Sequence, residues 1–254
     1  MNTLGNKIRV FRKLKGFSQL DLELSIGAST GTISRIENND INPTKETIHR
    51  IAKVLKLNNI ELEYLIGYTS TPASNQEILY IRNLIKKQFC SNYSFAYILD
   101  DRNRLIDMSE GFKRIIGKNV DFNKIFLKSF PEIILNEQLG IRGFLDKDTF
   151  SDLVNNVFKM TYLETHFMQG DEVFEEMLAY INSNSEAKEY WDYASKNINS
   201  VYRNATERVV IFNYLGLKIK LEFSLEPLME NQRFRVIDYK PSNILLKVAK
   251  SIIN

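Results

Sequence analysis

The stretch that most limits what this chain can become runs from Gln19 to Asn38: Gln-Leu-Asp-Leu-Glu-Leu-Ser-Ile-Gly-Ala-Ser-Thr-Gly-Thr-Ile-Ser-Arg-Ile-Glu-Asn. Leu22 and Ile26 are four residues apart, Gly27 follows, and Ile33 and Ile36 are three apart. That spacing puts each apolar pair on one face of a short helix, with the glycine at the bend between the two. Ser29 stands ahead of the second helix as an N-cap, its hydroxyl placed to accept an orphan backbone N–H. The outer face of that second helix is left with Thr30, Thr32, Ser34 and Arg35. Small hydroxyls and one guanidinium are the groups that meet base edges and phosphates.

The flanking sequence supplies partners for this pair. Leu4 to Lys15 reads as a first helix with Ile8, Phe11 and Leu14 as its apolar stripe, ended by Gly16. The run Asn39-Asp-Ile-Asn-Pro43 is a loop by its turn residues. Thr44 then caps a fourth helix that turns Ile48, Ile51, Ala52 and Leu55 inward. A short fifth helix runs from about Ile60 to Ile66 and closes at Gly67.

These features, over residues 4–67, resemble the Cro/CI-type helix-turn-helix family of phage repressors and their bacterial relatives. The matching residues are Gln19 opening helix two, the bend glycine, the Ile-x-x-Ile-Glu-Asn ending of helix three and the Pro-Thr start of helix four. The resemblance implies that Gln19 meets a phosphate at its helix N-terminus. It implies that Thr30, Thr32, Ser34 and Arg35 face the major groove, with Arg35 reading a guanine through both guanidinium nitrogens. Lys45, at the start of helix four, would hold the other side of the DNA backbone. It further implies a scaffold ion pair between Arg12 and Glu37, whose alternative is an ordinary surface pair worth under about 1 kcal/mol. The chain departs from the family at Glu23, where a small residue is usual because the two helices pass closely. Either the helices splay or the carboxylate bends out to solvent.

Composition sets the outer limits. A chain of 254 residues with 44% hydrophobic and 11% aromatic residues can bury two ordinary cores. The net charge of +3 sits wholly at one end: residues 1–66 carry ten Lys/Arg against seven Asp/Glu, and the remainder 24 of each. That is the sign phosphate contact requires. The single cysteine, Cys90, excludes an internal disulfide, and the two histidines, His49 and His166, lie far apart. There is no glycine-rich phosphate loop, no Gly-x-Ser-x-Gly and no metal-ligand or Cys/His cluster at motif spacing. The expectation is a protein that is not an enzyme, with no metal site. Cys90 reads as inert or exposed near a helix end, with a redox role as the alternative because Lys86 and Lys87 are close in sequence, and His166 reads as structural. Without a membrane-length apolar run or a signal-peptide core at the N-terminus, the expected location is the cytoplasm.

Tyr68 to Asn75 is polar and contains a proline, which sets the expected boundaries at 1–68 for the head, 69–75 for the linker and 76–254 for the second domain. Gln76–Phe89 is an amphipathic helix, read as packing on the second domain in preference to dimerising. Phe95–Leu99 and Arg104–Met108 then read as a strand pair around the turn Asp100-Asp-Arg-Asn103. Short helices fill 109–145, and three more cover Asp146–Phe167, Asp171–Asn182 and Ser185–Asn197. Strands return at Arg208–Tyr214, Leu217–Phe223 and Phe234–Tyr239, before a C-terminal helix carrying Ile244 to Ile253.

Two strands, a run of helices and three strands describe a five-stranded antiparallel sheet with helices on its face. This resembles a PAS-type sensor domain, and more closely the MmyB-like regulators, on the Tyr-Ile-Leu-Asp opening, Ser185-x-x-x-x-Tyr-Trp191, the Tyr-Leu-Gly216 turn and the closing Val-Ile-Asp-Tyr-Lys-Pro241. The expected fold is therefore α+β: a five-helix head followed by a PAS-like domain. The resemblance implies an apolar small-molecule ligand of fatty-acid type, and departs at Phe212-Asn213, where that family often has His-Pro. Candidate lining residues are Phe95, Tyr97, Phe112, Phe126, Phe130, Tyr190, Trp191, Phe212 and Phe223, each of which can equally be plain core. Arg203, Arg208 and Tyr193 are candidates for a carboxylate head. The leading expectation is a homodimeric transcriptional regulator on double-stranded DNA. Its rivals are a peptide-responsive regulator with an all-helical second half, and the same head fused to an unrecognised enzyme.

Overall fold

Side-chain caps mark where helices begin in the first seventy residues. The N–H of Asn6 donates to Thr3 Oγ1 at 3.3 Å to start α1 (Leu4–Leu14). Ser18 and Asp21 form a reciprocal capping box at α2 (Gln19–Ile26), each backbone N–H donating to the other's side chain at 3.0 Å. Thr44 caps α4 (Lys45–Val54), and Asn58 with Glu61 repeats the box at α5 (Asn59–Ile66). The helix between α2 and α4, α3 (Thr32–Glu37), has no side-chain cap of its own; Gly31 precedes it at φ +81°.

The computed structural model describes residues 2–88, 95–116, 120–145, 147–197, 209–214 and 217–241. They form two compact units, Met1–Pro72 with Glu164–Glu175, and Ala73–Leu163 with Glu176–Asn254.

In the first unit Ile8, Phe11, Leu22, Ile26, Ile33, Ile36, Ile48, Ile51, Leu55 and Leu65 are buried, as the helical spacing requires. Full burial of one such side chain is worth about 1.5–3 kcal/mol. Leu14 is the exception in the expected stripe, 42% exposed. Steps of three residues fall short of a full turn, so Leu14 lies roughly 120° around the helix from Ile8. Arg12, four residues after Ile8, takes the inward position instead and is buried.

The second unit opens with α6 (Asn75–Gln88), started by a box between Ser74 and Glu77. Two strands follow, β1 (Phe95–Leu99) and β2 (Leu105–Met108), then α7 (Glu110–Ile116), α8 (Phe122–Ile125), α9 (Phe130–Ile134) and two single-turn helices. Three longer helices come next, α10 (Lys147–Thr165), α11 (Glu172–Ser183) and α12 (Ser185–Lys196), with the facing ends of α10 and α11 belonging to the first unit. Strands β3 (Val209–Tyr214), β4 (Leu217–Pro227) and β5 (Arg235–Pro241) complete one antiparallel sheet in the order β2-β1-β5-β4-β3. The sheet overturns an all-helical second half, because β4 carries out its alternating pattern as a strand paired on both sides.

Strand alternation separates the two faces. Ile98 and Ile106 turn to Ile78, Ile81 and Ile85 of α6, together with Leu228 and Phe234. Phe95 and Tyr97, on the alternate positions of β1, turn to the aromatic side. One face of α6 packs on the sheet, with Leu79 left 58% exposed on its outer face. The β1–β2 turn is fixed by charge: Asp100 accepts from the N–H groups of Arg102 and Arg104 and from Arg104 Nε at 2.7 Å. Next to it Asp101 Oδ2 receives Arg102 and Arg233 at 2.8 and 2.9 Å. Burial nevertheless raises the Asp101 carboxyl above its ordinary value.

Candidate nucleic-acid interface

The turn between α2 and α3 differs from the sequence expectation in a way that explains Glu23. At φ +81° Gly31 takes a left-handed conformation that suits glycine. The helix therefore begins at Thr32, and Ser29 is not its cap. Ser29 Oγ pairs with Thr32 Oγ1 at 3.1 Å and its carbonyl receives the Thr32 N–H. The capping acceptor comes from the other helix: Glu23, 3% exposed, reaches across and takes the Ile33 N–H on Oε1 at 2.9 Å. A carboxylate at a helix N-terminus satisfies an orphan donor and complements the helix dipole. Glu23 neither splays the helices nor bends out to solvent; it joins them.

The other end of α3 is anchored as firmly. Glu37, completely buried, receives Arg12 Nε on Oε1 at 2.6 Å and Arg12 Nη2 on Oε2 at 3.0 Å. This is the expected scaffold pair, and it is a buried two-point contact, not a surface one. Arg9, which the sequence reading passed over, donates to the Glu37 carbonyl at 3.0 Å and to Asn38 Oδ1 at 2.6 Å. Its signal was its place three residues before Arg12 on α1. Gln19 joins the same carboxylate, its Nε2 donating to Glu37 Oε2 at 2.8 Å. The Gln19 amide is thus turned inward, leaving its second hydrogen and the first backbone N–H groups of α2 for a phosphate. Burial alone pushes the Glu37 carboxyl up, but the hydrogen bonds from Arg12 and Gln19 and the charges of Arg12 and Arg9 outweigh it. The net shift is downward.

With both ends fixed, the outer surface stays open. Ser29, Thr30 and Arg35 are exposed and Thr32 and Ser34 are half-exposed, with Ser29 and Thr30 on the turn and the other three on the helix. The Arg35 Nε donates weakly to the Gly31 carbonyl at 3.4 Å, while its two terminal nitrogens have no partner among the described residues. A guanidinium steadied at Nε with both terminal nitrogens outward is set up for a two-point contact to an acceptor pair. Lys45 is exposed in the first turn of α4, behind the Thr44 cap. Residues 8–58 match the family described as Helix-turn-helix.

That match supports reading the head as a Cro/CI-type helix-turn-helix domain. No curated protein matches the chain. The match supports a DNA-binding regulator, and the second half adds a small antiparallel sheet with helices. No helix among the described residues is long and apolar enough to cross a membrane, and those residues hold no cluster of metal-ligating side chains.

The nine aromatic candidates of the second half divide. Tyr97 stacks on Phe130 at 4.8 Å between centroids and meets Phe112 edge-on at 5.8 Å, while Phe112 meets Phe95 at 6.0 Å. Tyr239, which the sequence reading missed, ties Tyr97, Phe112 and Phe223 together. Its signal was the register that sets Tyr239 opposite both Phe95 and Phe223. The Tyr97 and Tyr239 hydroxyls are 3.4 Å apart. Burial pushes the Tyr239 phenol up to about 12 and Tyr97 well above its ordinary value. Phe126 instead stands beside Phe122 with Arg82 over its ring, Tyr190 packs on Phe158, and Trp191 packs on Tyr162. Tyr193 is 48% exposed with Lys159 over its ring. The Phe212 side chain, Cys90, Arg203, Arg208 and the C-terminal helix lie outside the described residues.

Proposed function

We propose that the chain is a homodimeric cytoplasmic transcriptional regulator whose PAS-like second half senses an apolar small molecule of fatty-acid type and which performs no catalysis. The observation that carries the DNA-binding part is the outer surface of α3, pinned at Glu23 and Glu37 and open at Arg35. Two copies place two such helices in successive major grooves when the half-sites of a near-palindrome lie about one helical turn, roughly 34 Å, apart. The sensing part is supported by the five-stranded antiparallel sheet and by the ring cluster of Phe95, Tyr97, Phe112, Phe130, Phe223 and Tyr239 on its aromatic face. An apolar ligand entering among those rings needs to favour one head arrangement by only about 1–3 kcal/mol to change operator affinity.

Operator selection from random duplexes, followed by binding at graded salt, tests the first part. The selected site should be two-fold symmetric and the affinity should fall steeply with salt. Solvent extraction of purified protein with mass spectrometry tests the second. A protein that is consistently empty and indifferent to added fatty acids would remove the sensor.

A further inference from the structure

The core of the head is completed by a ring from far along the chain. Phe167 is fully buried and lies nearly flat on Phe11 of α1, 5.5 Å between centroids with planes 28° apart. It tilts against Tyr64 of α5 at 5.4 Å, and Phe11 and Tyr64 meet each other edge-on at 6.4 Å. All three rings are shut off from water.

The segment that delivers Phe167 is held by its own local hydrogen bonds. The N–H of Met168 donates to the Thr165 carbonyl at 2.7 Å, and that of Asp171 to the Met168 carbonyl at 2.9 Å. Gly170 donates to Glu175 Oε1 at 2.8 Å, and the Asp171 carboxylate takes the N–H groups of Val173 and Phe174. These bonds close the corner between α10 and α11 within the segment itself. They leave Phe167 and the buried Met168 as its apolar side.

We propose that the Phe11–Tyr64 surface is a docking site for the Glu164–Glu175 segment of the same chain, and that this docking sets DNA affinity through α1. Arg12 directly follows Phe11 and holds Glu37 at the end of α3. Lys7, one turn earlier, donates to the carbonyls of Tyr64 and Ser70 at 3.1 and 2.6 Å. The docked ring therefore fixes the helix from which the recognition helix is held. The segment is continuous in sequence with α10 and α11. The docking stands on packing alone; its effect on affinity rests on the DNA-binding reading.

The full chain is compared with Phe167→Ala, Phe167→Leu, Phe11→Leu and the double variant Phe11→Leu/Phe167→Leu, using amide hydrogen exchange, denaturant unfolding and duplex binding. Phe167→Ala should lower protection of α1 and α5 roughly 10- to 100-fold while leaving β1 and β5 unchanged. The double variant should show roughly twofold to tenfold coupling in the unfolding equilibrium of the head. Phe167→Leu retains bulk, so the cycle stays readable even when the alanine variant unfolds the head. DNA affinity should fall in step with α3 protection. Additive Phe11 and Phe167 effects, or unchanged α1 and α5 protection in Phe167→Ala, would overturn the docking. Coupling with unchanged DNA affinity would overturn the control of affinity. If Arg35→Ala also bound DNA as the wild type does, the fault would lie with the interface itself.

Discussion

Glu23 Oε1 accepts the backbone N–H of Ile33 at 2.9 Å, so the first helix of the motif supplies the cap of the second. The contact crosses the bend at Gly27 and Gly31 and sets the angle between the two helices by a hydrogen bond as well as by packing. Replacing Glu23 with Ala leaves a buried N–H without an acceptor, a loss of about 1–3 kcal/mol. The expected outcome is a lower melting temperature, faster exchange of the Ile33 amide and weaker operator binding.

Breaking the pair at the far end should cost more. Glu37→Ala strands the Arg12 guanidinium in a buried site, which typically costs about 3–5 kcal/mol. Denaturant unfolding of the head should show it. Arg12→Met with Glu37→Leu should recover much of that loss, since apolar pairs of similar volume often replace buried ion pairs without penalty.

The same carboxylate gives the head an acid limit. The Glu37 carboxyl titrates below its ordinary value of 4.5 when folded, so its contribution is complete above that value and is lost as pH falls through the folded one. Melting temperature measured between about pH 3 and 6 should drop at the acid end. Glu37→Gln should flatten that drop.

At Gly5, α1 lies tight against the end of α3. A Cβ there would stand 2.2 Å from the Ile36 carbonyl oxygen. Gly5→Ala must push α3 outward, at a cost of about 1–3 kcal/mol, and should weaken DNA binding without altering base preference.

The head was legible because its helices announce themselves locally. Capping residues at Thr44, glycines at Gly16 and Gly27 and the paired isoleucines of α3 are each decided within a turn or two of chain. Ser29 has the sequence of a cap, but nothing in the sequence reveals that Gly31 turns left-handed and delays the helix to Thr32. Glu23 looks like a misfit in the sequence for the complementary reason: its partner lies ten residues away, across a bend. In the second half the period-two strands gave the sheet, but not which rings meet. Tyr239 joined the aromatic cluster through the β1–β5 register, and Phe126, Tyr190 and Trp191 went elsewhere because their helices face other neighbours. Nothing near Phe167 indicates that its ring belongs with Phe11, some 150 residues earlier in the chain.

The central claim is that the outer surface of α3 reads DNA, and Arg35 tests it most directly. Operators selected from random duplexes by the wild type should be rebound by Arg35→Ala with a loss of about 1–3 kcal/mol, and preference should relax at one base pair per half-site. If Arg35→Ala, together with Thr32→Ala and Ser34→Ala, selected the same sequences with the same affinity as the wild type, that surface would not be the one that meets the bases.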